Sequence, residues 1–130
     1  MRTIFFVFFL LVNLSAFAQY EIGCTSAQCV GEILIQDIQS ERYDRLPFLC
    51  DLSCKGDGES INICNLGKQP LAIKKGLKDF YKGAKVVEVK RKEYDLKLWE
   101  VVVYCPNSPK EKLISFKVTM CGERWVLHSL

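Results

Sequence analysis

An α+β domain is the architecture these residues predict: N-terminal helices, then one helix packed on a four-stranded antiparallel meander, the whole stabilised by disulfides. Three observations carry that expectation. Apolar residues recur mostly at helical spacing up to Gly83 and at a period of two from Ala84 onward. Apart from one short strand between helices, helices come first and the four strands of the meander afterwards, which is the order of an α+β layout. Seven cysteines follow an export-type N-terminus, and exported cysteines generally end in disulfides.

The start of the chain sets the compartment. Met1-Arg2-Thr3 precedes the apolar run Ile4 to Val12, and Ser15-Ala16-Phe17-Ala18 closes the segment. A short positive start, an apolar middle too short to span a bilayer and an Ala-x-Ala site make residues 1–18 a signal peptide. Residues 19–130 then form a single disulfide-containing α+β domain, secreted or periplasmic. Ile22-Gly23-Cys24 has the end of a lipid-attachment box, but Glu21 stands where such boxes want Leu. No second apolar stretch reaches the ~18 residues that a membrane span needs. A chain of about 110 residues buries roughly 65% of its unfolded surface, so the cysteines reinforce a core rather than replace one.

Thr25-Ser26-Ala27-Gln28 reads as a capping box with Thr25 at the cap. Val30, Ile33, Leu34 and Ile38 follow at helical spacing, giving a helix over about 26–41. A short second helix is expected at about 45–54, with Leu46, Leu49 and Cys50 inward and Pro47 in its first turn. Lys55-Gly56-Asp57-Gly58 makes a turn. Ser60 to Cys64 then reads as a short strand with Ile61 and Ile63 on one face. Pro70 suits the start of the next helix and Gly83 its stop. Its apolar stripe is Ile73, Leu77, Phe80, Tyr81 and Ala84, and Lys74, Lys75, Lys78, Lys82 and Lys85 fill the rest of its surface.

Val87 and Val89 lie in a strand that is otherwise charged, as befits a sheet edge. Leu96 to Cys105 is apolar on both faces and reads as a central strand, ended by Pro106-Asn107-Ser108-Pro109. Leu113 to Cys121 alternates, with Ile114, Phe116, Val118 and Met120 on the buried side. Gly122-Glu123 fits a two-residue hairpin, and Arg124 to Leu130 is the last strand, carrying Trp125 and Leu127.

The disulfide candidates are Cys24, Cys29, Cys50, Cys54, Cys64, Cys105 and Cys121, an odd number that leaves one thiol unpaired or shared between chains. Cys24 and Cys29 occupy the two positions where an apolar staple closes a helix start. A Cys24–Cys29 bridge is a covalent version of that staple and contributes only about 2 kcal/mol for so small a ring. Cys105 and Cys121 cannot join each other: a hairpin turning near Ser108 leaves them roughly 30 Å apart at ~3.3 Å per residue. Each is expected to reach the N-terminal half, so two bridges are drawn from Cys50, Cys54, Cys64, Cys105 and Cys121, with one of the five left over.

Charge is unevenly distributed. Residues 19–67 hold 3 basic and 8 acidic side chains, residues 68–97 hold 10 and 4, and residues 98–130 hold 4 and 3. Opposed poles of this kind orient a small protein toward a charged partner. Reactive constellations are missing from the sequence. Cys50-x-x-x-Cys54 with Cys64 lacks a Cys-x-x-Cys pair, and His128 is the only histidine, so no metal is expected. His128 is also the only base for a catalytic thiol. Asp51, Asp57 and Glu59 cluster at a turn, where Asp57-Gly58 is turn chemistry. No phosphate loop, serine nucleophile motif or calcium loop is present, so no cofactor is expected. Lys90-Arg91-Lys92 lacks interleaved aromatics, which excludes nucleic acid as the expected partner.

The helix stopping at Gly83, the Lys85-Val86-Val87-Glu88-Val89-Lys90 strand, the long central strand and the late Gly122-Glu123-Arg124-Trp125-Val126-Leu127 strand carry a resemblance. From about Leu71 to Leu130 the chain resembles the second half of small cystatin-like or NTF2-like exported bacterial domains. The resemblance implies a sheet curled around the 70–83 helix, with a pocket at one end. Such folds host binders, inhibitors and some enzymes. The expected function is therefore an exported binding protein, an inhibitor or immunity-type protein acting on a protein partner, with Lys74, Lys75, Lys78 and Lys82 and the acidic first half as contact surfaces. A pocket-bearing ligand carrier or small enzyme, lined by Trp99, Glu100, Tyr104 and Trp125, is the alternative. A disulfide-linked structural subunit, dimeric rather than monomeric, is the third reading.

Overall fold

The computed structural model describes residues 24–50, 58–93 and 97–130. The signal-peptide segment 1–18, the end of the helix expected over 45–54, and Cys54, Asp51 and Asp57 lie outside the described residues. Helix α1 is Ala27–Gln39, followed by a 3-10 segment Tyr43–Leu49, helix α2 Gly58–Cys64, a 3-10 turn Leu66–Lys68 and helix α3 Leu71–Phe80. Strands β1 Lys85–Arg91, β2 Leu98–Tyr104, β3 Leu113–Cys121 and β4 Arg124–Ser129 form one four-stranded sheet in the order β1-β2-β3-β4. Every neighbouring pair is antiparallel, so the meander and its order are as expected.

Helix α1 supplies the main face packed on this sheet. Val30, Leu34 and Ile38 are fully buried together with Val101, Val103, Phe116, Val118 and Leu127. Close approach is possible because α1 carries Gly31 at the crossing. A Cβ there would meet Val101 Cγ1 at 2.7 Å and Val86 Cγ2 at 3.0 Å. The helix that crosses the sheet is thus the first one, whereas the resemblance implied the 70–83 helix. Helix α3 sits at the side and touches the core through half-buried Leu77 and Phe80 and buried Tyr81.

The cap of α1 falls one residue later than expected. Ser26, not Thr25, is in extended conformation at the N-cap, and its hydroxyl accepts from the Cys29 N–H at 3.2 Å. Gln28 donates instead to Glu32 at 2.8 Å. The shift follows from Cys24, whose carbonyl accepts the Trp125 N–H at 2.9 Å in an isolated antiparallel bridge. Cys24 is thereby committed to the sheet edge, and the helix starts only once the chain has turned away. At the other end Glu41 takes a left-handed φ of 58°, and the Arg42 N–H reaches back to the Asp37 carbonyl at 2.8 Å, a Schellman stop.

The segment expected as the strand Ser60–Cys64 lies in helix α2. Strand geometry would bury Ile61 and Ile63 on one face, but Ile61 is 40% exposed and Ile63 only 7%. Neighbours two apart lie on opposite sides of a helix, as observed here. The expected helix at 45–54 appears as the 3-10 segment Tyr43–Leu49, which begins earlier and holds Pro47, with Leu46 and Leu49 buried as expected. In α3 the apolar stripe is only partly used: α3 has no fully buried residue, and Ile73 is 48% exposed. Met120, expected on the buried face of β3, is also exposed.

Two cysteine pairs are disulfides: Cys24–Cys29, as expected, with Cα atoms 5.5 Å apart, and Cys50–Cys64 with Cα atoms 6.2 Å apart. Cys50–Cys64 ties the end of the 3-10 segment to the end of α2, so it lies within the helical half. Cys121 is also disulfide-bonded. Among the described residues Cys105 is a free thiol, and it is completely buried, which corrects the expectation that it bridges to the N-terminal half. It sits within the cluster of buried apolar side chains that also holds Tyr81, where its small volume serves packing.

Candidate functional site

The basic face predicted on the third helix exists and has relief. Residues 71, 74, 75 and 78 fall at helical spacing on one side of α3, opposite the Tyr43 end of the 3-10 segment. Between them lies a groove of about 480 Å³ lined by Glu41, Tyr43, Leu71, Lys74, Lys75 and Lys78. The Lys74 ammonium lies 5.6 Å from the centre of the Tyr43 ring, within cation–π range. The Lys78 ammonium is 3.4 Å from the Glu41 carboxylate. Both side chains of that pair are well exposed, so its contribution to stability is small, below about 1 kcal/mol. Burial first, and then the charge of Glu41, push the Tyr43 hydroxyl above its usual pKa, with Lys78 opposing.

A second groove of about 470 Å³ continues along the same helix and takes in Gln39, Lys78, Asp79, Lys82 and Gly83. Gly83 holds a left-handed φ of 73° that ends the helix and turns the chain into β1, as its position predicted. The Gln39 amide donates to the Tyr81 carbonyl at 2.6 Å, and the Asn107 amide to the Asp79 carbonyl at 2.6 Å. These two bonds fix the C-terminal end of α3 against α1 and against the β2–β3 turn. All four predicted lysines thus lie on one helix and its following turn, beside two grooves that share Lys78.

The four residues predicted to line a pocket do not converge. Trp99 and Trp125 come together on the α1 side of the sheet, edge to face with ring centres 5.8 Å apart. They line a groove of about 330 Å³ with Val89 and with Thr25, Ser26 and Gln28 at the start of α1. Glu100 and Tyr104 alternate onto the other face, where Glu100 stands opposite Lys117 and Lys90 in the register. The Lys92 ammonium donates to Glu100 at 2.9 Å. This hydrogen bond, with a second from Ser115, holds the Glu100 carboxyl below its usual pKa.

Cys105 lacks the setting of a reactive thiol. Burial pushes its pKa up, whereas nucleophilic cysteines have theirs lowered. Burial and then the neighbouring Cys105 also push the Tyr81 hydroxyl up to about 12. Among the described residues, no three His, Cys, Asp or Glu side chains converge as metal ligands. Among the same residues, no helix is long and apolar enough to cross a membrane.

Sequence reasoning missed Glu41, Tyr43 and Leu71 as groove residues. Leu71 follows Pro70 at the helix start and falls outside the Ile73–Leu77–Phe80 stripe. Tyr43 is 31 positions from Lys74 and Glu41 is 37 from Lys78, so only the turn after α1 brings them there. No family model, characterised protein or solved structure matches the chain.

Proposed function

We propose that this is an exported binding protein, an inhibitor or immunity-type protein that captures a protein partner in the periplasm or outside the cell through the lysine face of α3. The single observation that carries this reading is the placement of Lys74, Lys75, Lys78 and Lys82 beside two adjoining grooves, on a helix with no fully buried residue. A ten-residue helix is marginal by itself in water, so leaving most of it uncovered needs a compensating reason, which a partner supplies. Export is supported by the N-terminal pattern of residues 1–18 and by the cysteine pairs at disulfide distance. A cystatin-like or NTF2-like relationship belongs to the same proposal and draws on the order of helix and meander.

Affinity capture with the oxidised protein from its native extracellular or periplasmic fraction tests the reading. Changing Lys74, Lys78 and Lys82 together to Glu should abolish capture of the partner and leave the melting temperature nearly unchanged, because all three are at the surface. Unaltered capture by that variant would discard the α3 face as the contact surface.

The ligand-carrier reading draws on one observation, the Trp99–Trp125 groove. Quenching of tryptophan fluorescence by a small apolar ligand, lost in Trp125→Ala, would favour it. The disulfide-linked subunit draws no support from Cys105, the free thiol among the described residues, because it is inside the core.

A further inference from the structure

We infer that the α3 groove takes an extended acidic segment of a protein partner, with an apolar side chain of that segment seated against Leu71 and Tyr43. The inference rests on the reading that the lysine face is the contact surface, and it adds the chemistry of what is bound.

Three features of the groove lead to this occupant. The first is an apolar end. Leu71 is 76% exposed, the most exposed large apolar side chain among the described residues, and it lines the groove together with Tyr43. An apolar side chain laid there removes surface from water on both partners.

The second is a discontinuous charge pattern. Lys78 is engaged by Glu41 at 3.4 Å and Lys74 lies over the Tyr43 ring, while Lys75 has no carboxylate within ion-pair distance among the described residues. Glu41 and Asp79 are in the same groove as the lysines. A continuous anionic surface such as a lipid headgroup layer would meet those carboxylates as well as the ammonium groups. A polypeptide places its charges at discrete intervals, so it can meet the lysines and avoid Glu41 and Asp79.

The third is length. The ten residues of α3, Leu71–Phe80, extend about 15 Å at ~1.5 Å per residue. That is the reach of about five residues of extended chain. The two grooves adjoin at Lys78 and Asp79, so a single strand of partner chain can follow both.

Fluorescence anisotropy with a labelled peptide, Leu-Glu-Glu-Glu-Glu, tests the inference on the oxidised protein, with its Leu-Lys-Lys-Lys-Lys counterpart and phosphatidylserine vesicles as the other probes. The acidic peptide should bind saturably, weaken with salt, and lose about fivefold in affinity with Lys75→Glu and about tenfold with Leu71→Ser. Both residues are exposed, so equal melting temperatures will show that the variants fold. Three results would each overturn the inference: no saturation at millimolar acidic peptide, equal binding of the basic peptide, or binding to vesicles but not to the acidic peptide. If the peptide fails while the triple lysine reversal still abolishes capture, the protein-binding reading stands and only the inferred occupant is wrong. If the reversal leaves capture intact, that reading fails with it.

Discussion

Asp37 and Glu100 are both carboxylates held away from free solvent, and they tilt the stability of the fold in opposite directions. Asp37 is buried on α1, and its Oδ2 has no hydrogen-bond partner among the described residues. Burial raises its pKa above 3.8 against the opposing charges of Arg45 and Arg42, so the ionised form destabilises the folded chain. The folded state then holds this proton more tightly than the unfolded one, and stability falls as pH rises from 3.8 through the folded pKa. Asp37→Asn should therefore stabilise the protein at pH 7 by about 1 kcal/mol. The gain should vanish in acid, where both states carry the proton. Thermal melting at the two pH values checks this. Glu100 has the reverse sign: its pKa is lowered by the hydrogen bond from Lys92, so its contribution is complete above 4.5 and is lost as pH falls through the folded pKa. Neither role was legible in the sequence. Glu100 stood out as a polar residue on an apolar strand, but its partner Lys92 became identifiable only with the β1–β2 register. Asp37 looked like any charged residue on a helix.

At the scale of elements, the sequence was informative wherever a long period could express itself. Thirteen residues of α1 and nine of β3 carry enough repeats to separate 3.6 from 2. Ser60–Cys64 is too short for that: Ile61 and Ile63 alternate over one step only, and helix and strand fit equally until the burial of one and the exposure of the other are known. Gly31 was passed over for a related reason. A glycine within a helical pattern looks like a loss of helix propensity, while its use is to let β1 and β2 approach α1. Gly31→Ala accordingly gives a clear prediction. Propensity alone favours Ala by roughly 1 kcal/mol. The added methyl would sit 2.7 Å from Val101 Cγ1, on a β-branched side chain with little rotamer freedom. Overpacking should win, and the variant should be about 1–3 kcal/mol less stable in urea. A stabilised Gly31→Ala would mean that α1 does not lie so close to the sheet.

For the molecule as a whole, the cysteines and the charges divide the work. Cys24–Cys29 fastens the start of α1 where it joins the edge of β4, and Cys50–Cys64 closes a fourteen-residue loop within the helical half. By the loop-entropy model these contribute about 2 and about 3 kcal/mol. Peptide mapping of the native protein should find both pairs joined, and Cys105 should react with iodoacetamide only after unfolding. Local spacing made the first pair readable. The second was not, because Cys50, Cys54 and Cys64 sit close together in sequence and spacing cannot rank their partners. The lysine face was readable as composition, but its grooves were not, since amphipathicity says nothing about which side of a helix the rest of the chain will cover. What most directly tests the role of that face is a titration of the captured partner with two charge-matched variants. One changes Lys74, Lys78 and Lys82 on the α3 face to Glu, and the other changes Lys90, Lys110 and Lys117 on the sheet and its turn. The account predicts that the α3 variant loses at least about tenfold in affinity while the sheet variant binds nearly as the unmodified protein does. Equal losses in the two would show that overall charge, and not the face of α3, holds the partner, and would contradict the account.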